Sequence, residues 1–173
     1  VRKSGFDFIS RAVDGGFSPW QPIPANAPVD CTTPADQGSP LCLQVPAEGK
    51  QQVLLKLATG ADGGPQQLGP FVSSIVYDVT APTLSLVVNG GAEYVNAAGG
   101  QSLALEVPAQ DTFSPVQVMR KVAVSAPADP LGALASVAVD PYVLLPSLVI
   151  PDYTLENEKR VAVRVYDAAG NAA

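Results

Sequence analysis

Two cysteines are the residues whose type and spacing point most directly to chemistry. Cys31 and Cys42 stand eleven positions apart in a stretch rich in Pro, Gly, Ser and Asp, which is the composition of a loop. We expect a disulfide rather than two free, buried thiols, because buried structural cysteines rarely lie among so many turn-forming residues. Such a disulfide stabilises a fold by about 3 kcal/mol. No Cys-x-x-Cys or mixed His/Cys spacing occurs, so the sequence excludes a zinc site.

The residue types needed for catalysis are poorly represented. The chain of 173 residues has no histidine, so a Ser or Cys nucleophile lacks its usual base. Lys50, Lys56 and Lys121 remain as bases, but they lie on or beside alternating strands, where an outward-facing, solvated lysine is the simpler interpretation. A glycosidase would need a carboxylate pair in a sugar cleft, and a single tryptophan among few aromatic residues makes such a cleft hard to line. We expect no enzymatic activity.

Charge and hydropathy exclude two further classes of partner. Ten Lys and Arg against 16 Asp and Glu give a net charge of −6, which offers no basic stripe to nucleic acid. The most apolar region, 131–151, is interrupted by Asp140, Pro141 and Pro146, so no membrane-spanning helix is expected there. The chain opens at Val1 without a recognisable signal peptide. Together with the expected disulfide, this favours an extracellular segment cut out of a longer protein.

The apolar pattern is typical of an all-β chain. Short runs of Val and Leu are punctuated by Gly and Pro every eight to twelve residues. Alternation of inward and outward residues is clearest in Val53–Leu57, Leu103–Val107 and Val161–Val165. The remaining strand candidates are Phe71–Tyr77, Thr83–Val88, Gln117–Val124 and Leu148–Ile150.

An internal repeat indicates two domains. Four segments match in order: Val1-Arg2-Lys3 with Met119-Arg120-Lys121, the segment around Trp20 with that around Tyr142, 43–46 with 148–151, and Lys50–Leu57 with Glu158–Val165. The changing offset predicts an insert in the first copy, residues 25–42, which carries both cysteines. We therefore expect domains at 1–79 and 80–173, the first without its N-terminal strands and the second without its last strand.

Four motifs in the second copy resemble a known family. They are Asp78-Val79-Thr80-Ala81-Pro82, Asn89-Gly90-Gly91-Ala92-Glu93-Tyr94, the stretch from Asp111 to Arg120, and Asp167-Ala168-Ala169-Gly170-Asn171. In this order they resemble D-x-T-A-P, N-G-G-A-x-Y, D-x-x-S-G-V-x-x-M-R and D-x-A-G-N of the tandem immunoglobulin-like repeats (bacterial immunoglobulin-like or fibronectin-III-like) of large bacterial surface and secreted proteins. Pro115 departs from this pattern, since the family has Gly there. The resemblance implies two tandem immunoglobulin-like β-sandwiches that serve as spacer, stalk or adhesion module.

The same resemblance implies a place where carboxylates meet. In such a sandwich, the start of the chain and the ends of the second and penultimate strands lie at one pole. Asp78 with Thr80, Asp111, and Asp167 with Asn171 occupy those places. Ca²⁺ takes six to eight oxygen ligands, so a calcium site that stiffens the hinge between repeats is one interpretation. The other is that each Asp caps its own turn by accepting nearby backbone N–H groups.

Two aromatic residues leave another alternative open. Trp20 and Tyr142 stand in similar Pro-flanked segments and would grip a sugar or a peptide if exposed, although large aromatic residues are more often core anchors. The principal expectation is a non-catalytic structural spacer, stalk or adhesion module whose partners are neighbouring repeats or other surface proteins. The alternatives are an extracellular filament subunit that assembles by strand exchange and a carbohydrate-binding accessory module.

Overall fold

The computed structural model describes residues 8–23, 31, 32, 39–60, 64, 66–92, 102–150 and 158–173. The described chain is nearly all β and its sheets are antiparallel, which confirms the predicted fold class. It divides into two compact units, 1–77 and 78–173. The repeat match at Val1–Lys3, most of the insert at 25–42, and Glu93 with Tyr94 of the second motif lie outside the described residues.

Unit 1 (1–77) is built on a single four-stranded sheet in its described part. Its strands are β1 (Phe8–Val13), β2 (Gln21–Pro22), β3 (Gly49–Ala58) and β4 (Gln67–Tyr77). They lie in the order β2-β1-β3-β4. The long β3–β4 hairpin follows from the two apolar runs that flank a Gly-rich turn. Within the described residues, β4 is therefore an edge strand.

Unit 2 (78–173) has nine regular elements besides a short 3₁₀ turn at Asn89–Gly91 in its described part. They are β5 (Thr83–Leu84), β6 (Val87–Val88), β7 (Ser102–Glu106), β8 (Ala109–Gln110), β9 (Val116–Ser125), α1 (Pro130–Leu134), β10 (Asp140–Pro141), β11 (Ser147–Val149) and β12 (Lys159–Asp167). The sheets have the orders β10-β9-β12, β11-β7-β6 and β5-β8. The long β9–β12 pair forms the frame on which the other elements pack.

The core of unit 2 lies between two of these sheets. Leu105 and Val107, from β7 and the residue after it, pack against Met119 of β9 and Val165 of β12, and all four are fully buried. The strict alternation along β7 places Leu103 and Leu105 inward. The helix α1 packs on β9 and β12, and its Leu134 is buried. Unit 2 is thus a sandwich in which β12 has layers on both sides.

The sheet register corrects the first part of the sequence repeat. Leu57 of β3 pairs with Ile9, and its sequence equivalent Val165 of β12 pairs with Met119. Ile9, and not Val1, is therefore the structural equivalent of Met119. A match of three residues is weaker evidence for equivalent positions than the backbone pairing of two long strands. That pairing fixes the register residue by residue.

The same comparison separates the two aromatic residues. Ile9 pairs with Gln21 and Met119 pairs with Asp140, so Gln21 of β2 is equivalent to Asp140 of β10. Trp20 then precedes the first residue of β2, whereas Tyr142 follows the last residue of β10. The predicted equivalence of Trp20 and Tyr142 is wrong by this register.

Candidate functional site

Three carboxylates of unit 2 converge. One carboxylate oxygen from each of Asp78, Asp111 and Asp167 lies within 4.8 Å of the other two. Asp78 and Asp167 are buried, with 7 % and 4 % exposure, while Asp111 is partly buried. The sequence singled out these three residues, and the structure brings them together.

Strand ends place these carboxylates. Asp78 is the first residue of unit 2, Asp111 directly follows β8, and Asp167 is the last residue of β12. Each therefore lies where a regular backbone ladder stops and free N–H groups become available. This is the position in which Asp side chains are favoured, because a carboxylate can accept from the backbone a few residues ahead.

Each carboxylate also caps its own turn. Asp111 accepts from the backbone N–H groups of Phe113 (2.8 Å) and Ser114 (3.1 Å). One oxygen of Asp78 accepts from the N–H of Thr80 at 3.0 Å. Thr80 thus reaches the cluster through its backbone. The turn-capping interpretation and the convergence of the three carboxylates hold at the same time.

Asp167 receives the largest number of described hydrogen bonds in the cluster. Its Oδ1 accepts from the backbone of Ala169 and Asn171, both at 2.9 Å, and its Oδ2 accepts from the Asn171 side-chain amide at 2.9 Å. Burial by itself raises the pKa of Asp167, but hydrogen bonds from Asn171, Gly170 and Ser114 outweigh it and lower that pKa below its ordinary value. The cluster thus stabilises the ionised form of this carboxylate.

Two side chains connect Asp78 to the other turns. The hydroxyl of Ser114 donates to Oδ2 of Asp78, and the amide of Asn171 donates to the backbone carbonyl of Asp78 at 3.2 Å. Sequence reasoning did not single out Ser114, although it occupies the Ser of the D-x-x-S motif. These bonds fasten the first residue of unit 2 to the turn after β8 and to the turn after β12.

The cluster has the residue types either to bind a hard cation or to hold the surrounding turns together by hydrogen bonds. Asp78, Asp111 and Asp167 each bring one carboxylate oxygen to the cluster, and carboxylate oxygens are the ligand type that Ca²⁺ takes. Neither of the two ion pairs found in the described part of the chain, Lys121–Asp140 and Arg160–Glu158, includes a cluster residue. Asn171 donates its Nδ2 to the cluster, so its described role is to orient Asp167 and Asp78. The predicted calcium site stays a prediction.

Cys31 and Cys42 form the predicted disulfide, with Cα atoms 5.4 Å apart. Cys42 is buried and Cys31 is exposed. The guanidinium of Arg11 on β1 donates to the carbonyls of Ser39 (3.1 Å) and Cys42. Burial lowers the pKa of Arg11. The disulfide loop is therefore attached to the sheet of unit 1 through backbone carbonyls.

Tyr142 is held by its hydroxyl. It donates to the carbonyl of Val107 at 2.7 Å and accepts from the N–H of Ala109 at 3.0 Å. Its ring packs against the buried core of unit 2. Tyr142 thus connects the loop after β10 to the segment between β7 and β8.

Trp20 lies apart from the surface depression of unit 1. Trp20 is partly buried and directly precedes β2. A depression of about 830 Å³ in unit 1 is lined by Arg11, Ser18 and residues 43–46 among others, and Trp20 does not line it.

Among the described residues, no helix is long and apolar enough to cross a membrane.

Comparison with known proteins supplies no relative. No protein-family model matches the chain, and neither a curated protein nor a solved structure matches it.

Proposed function

We propose that the chain is a structural spacer or stalk segment of an extracellular or cell-surface protein, made of two β units that repeat one plan. The observation that carries this proposal is the repeated pairing of strands. In unit 1, β1 pairs with both β2 and β3, and in unit 2, β9 pairs with both β10 and β12. A protein becomes longer without a new fold when copies of one module follow each other along the chain.

The polar cluster supports a mechanical role. Hydrogen bonds from Ser114 and Asn171 hold Asp78 where the chain begins unit 2. Through these bonds, a force applied to the chain at Asp78 acts on the turn after β8 and on the turn after β12. It therefore does not detach the first residues of unit 2 one at a time. The long antiparallel ladder between β9 and β12 supplies many hydrogen bonds to resist it.

The disulfide supports the extracellular part of the proposal. Cys31 and Cys42 are paired, and disulfides persist in oxidising compartments. The motifs from Asp78 to Asn171 resemble those of bacterial immunoglobulin-like repeats, which serve as spacers and adhesion modules. We extend that role to this chain as part of the same proposal.

Tyr142 weighs against the carbohydrate-binding alternative. That alternative relied on Trp20 and Tyr142 as an equivalent pair, but the hydroxyl and ring of Tyr142 are engaged with Val107, Ala109 and the core. A structural role accounts for these contacts without a ligand.

Antibody labelling of source cells tests the proposal. An antibody raised against the folded chain should label intact cells as strongly as permeabilised cells, or label the secreted fraction. Labelling that requires permeabilisation would overturn the extracellular assignment.

A further inference from the structure

Asn89 is the only asparagine of the chain that is followed by glycine, since the other four, at 26, 96, 157 and 171, precede Ala or Glu. In an Asn-Gly pair the backbone nitrogen of the glycine can reach the side-chain carbonyl carbon of the asparagine, because glycine has no Cβ to obstruct a close approach. The groups that could react are therefore Cγ of Asn89 and the backbone nitrogen of Gly90.

Both residues lie in the 3₁₀ turn that follows β6. Asn89 and Gly90 have positive φ, 48° and 65°, the left-handed conformation that Asn and Gly adopt most readily. Asn89 is partly buried and Gly90 is exposed, and in the described part of the chain a Cβ on Gly90 would meet nothing within 4 Å. The N–H of Ala92 donates to the Asn89 carbonyl at 3.3 Å, which is longer than an ordinary backbone hydrogen bond. Water therefore reaches a turn that is weakly held.

The side chains of Asn89 and Asn171 are held differently. The amide of Asn171 donates to Oδ2 of Asp167 at 2.9 Å and to the carbonyl of Asp78 at 3.2 Å. In contrast, no hydrogen bond within the described residues reaches the side chain of Asn89. Asn89 can therefore rotate its Cγ towards the Gly90 nitrogen, whereas Asn171 would first have to break two hydrogen bonds.

We propose that Asn89 is a site of spontaneous deamidation assisted by the backbone. Hydroxide takes the proton of the Gly90 nitrogen, which attacks Cγ of Asn89 and forms a new C–N bond. The bond from Cγ to the side-chain nitrogen breaks, and ammonia leaves after taking a proton back from water. One water molecule then opens the resulting succinimide at either carbonyl, which gives Asp or isoAsp at position 89.

The product changes the chain directly after β6. Each reacted chain gains one negative charge, so the net charge goes from −6 to −6 − 1 = −7. In isoAsp the backbone passes through the former side chain, which adds one methylene between Val88 and Gly90. Val88 pairs with the buried Leu105, so the added length lies beside the core of unit 2. The inference does not depend on the spacer role.

Incubation of the full chain in a mildly alkaline buffer tests the reaction. Peptide mapping by mass spectrometry should show NH replaced by O in the peptide that contains Asn89, and electron-transfer fragmentation should identify isoAsp beside Asp. The rate should rise in proportion to the hydroxide concentration, because the Gly90 nitrogen must lose its proton. Gly90→Ala should slow the reaction at least about tenfold, because its methyl group obstructs the attack. Circular dichroism confirms that this variant is folded.

Ala172→Gly is the matched control for the surrounding structure. It places glycine after Asn171 at an exposed position, so that the chain holds two Asn-Gly pairs. In the folded chain Asn171 should react at least about tenfold more slowly than Asn89, because its hydrogen bonds to Asp167 and Asp78 must break first. In concentrated urea, where both side chains are released, the two rates should become similar.

Three outcomes overturn the inference. If Asn89 reacts in urea but stays intact in the folded chain, the turn protects it. If Asp forms without isoAsp, water attacks the side chain directly and the backbone nitrogen takes no part. If Asn171 of the folded Ala172→Gly variant reacts as fast as Asn89, the hydrogen bonds of the side-chain amide do not determine which asparagine reacts.

Discussion

The side-chain amide of Asn171 donates to the backbone carbonyl of Asp78 at 3.2 Å, although 93 positions separate the two residues. The same amide donates to Oδ2 of Asp167 at 2.9 Å. One side chain therefore connects the first residue of unit 2 to the turn that follows β12. Ser114 adds a second connection, from the turn after β8. Unit 2 is thus fastened where the chain enters it.

Calcium provides the first test of the carboxylate cluster. In the calcium interpretation of Asp78, Asp111 and Asp167, an excess of Ca²⁺ over chelator should raise the thermal midpoint of unit 2. The gain is about 2.7 kcal/mol when free calcium is a hundred times its Kd. Differential scanning calorimetry with CaCl₂ and with EDTA measures it.

Asp111→Asn is the matched control for calcium. An Asn oxygen can still accept from the N–H groups of Phe113 and Ser114, so the turn is kept while one negative charge is removed. The calcium-dependent rise should disappear in this variant. A wild-type midpoint that is the same in CaCl₂ and EDTA contradicts the calcium site and leaves turn capping as the role of these carboxylates.

Acid should destabilise unit 2 through Asp167. The pKa of Asp167 is lower in the fold than its ordinary value of 3.8, so its contribution is complete above that value and is lost as the pH falls through the folded pKa. Unfolding by urea at a series of pH values from 5 downwards should show this loss below about pH 4. Asp167→Asn should flatten that part of the profile. Asp129→Asn, at an exposed helix cap, should not, and an unchanged profile in Asp167→Asn would contradict the role of this carboxylate.

Removal of the Tyr142 hydroxyl should weaken the core of unit 2. Tyr142→Phe leaves the N–H of Ala109 and the buried carbonyl of Val107 without their described partner, which costs about 1–3 kcal/mol. Urea unfolding followed at unit 2 measures the change. Tyr77→Phe, on the exposed strand β4, should change stability by less than about 0.5 kcal/mol. Equal effects of the two substitutions would argue against Tyr142 as an anchor.

Loss of the disulfide should affect unit 1 alone. Cys31→Ser/Cys42→Ala removes a short cross-link and should lower the unfolding free energy of unit 1 by about 3 kcal/mol. Reduction of the wild-type protein should give the same shift, while the transition of unit 2 stays in place. A variant as stable as the oxidised wild type would show that the Arg11 contacts to Ser39 and Cys42 suffice to hold the loop.

The long strands could be predicted because their signal is long. Val53–Leu57, Phe71–Tyr77 and Val161–Val165 fall inside β3, β4 and β12, since alternation over five or more residues suffices to define a strand. Strand β1 was missed because its sequence places Ser10 and Arg11 between apolar residues. Strands of two residues leave no periodic signal at all.

The short helix α1 has a start signal in the sequence. Asp129 accepts from the N–H groups of Leu131 and Gly132, and Pro130 occupies the first turn of α1. An Asp followed by Pro is a helix start.

The candidate site was predictable in its residues but not in its bonds. The resemblance of the motifs to those of immunoglobulin-like repeats predicted that Asp78, Asp111 and Asp167 meet at one pole, which residue spacing alone does not reveal. The contribution of Ser114 depends on how the turn after β8 folds back, and that is a tertiary property. The same holds for the hydroxyl of Tyr142, whose partners lie more than 30 positions away.

Single-molecule stretching of the full chain tests the mechanical role most directly. Unit 2 runs from 78 to 173, which is 173 − 78 + 1 = 96 residues, and these extend to about 330 Å at 3.4 Å per residue. We expect an abrupt force peak followed by a gain of about 300 Å in contour length, and an earlier or weaker peak in Asn171→Ala. Smooth extension of the wild-type chain without a force peak would contradict the spacer function.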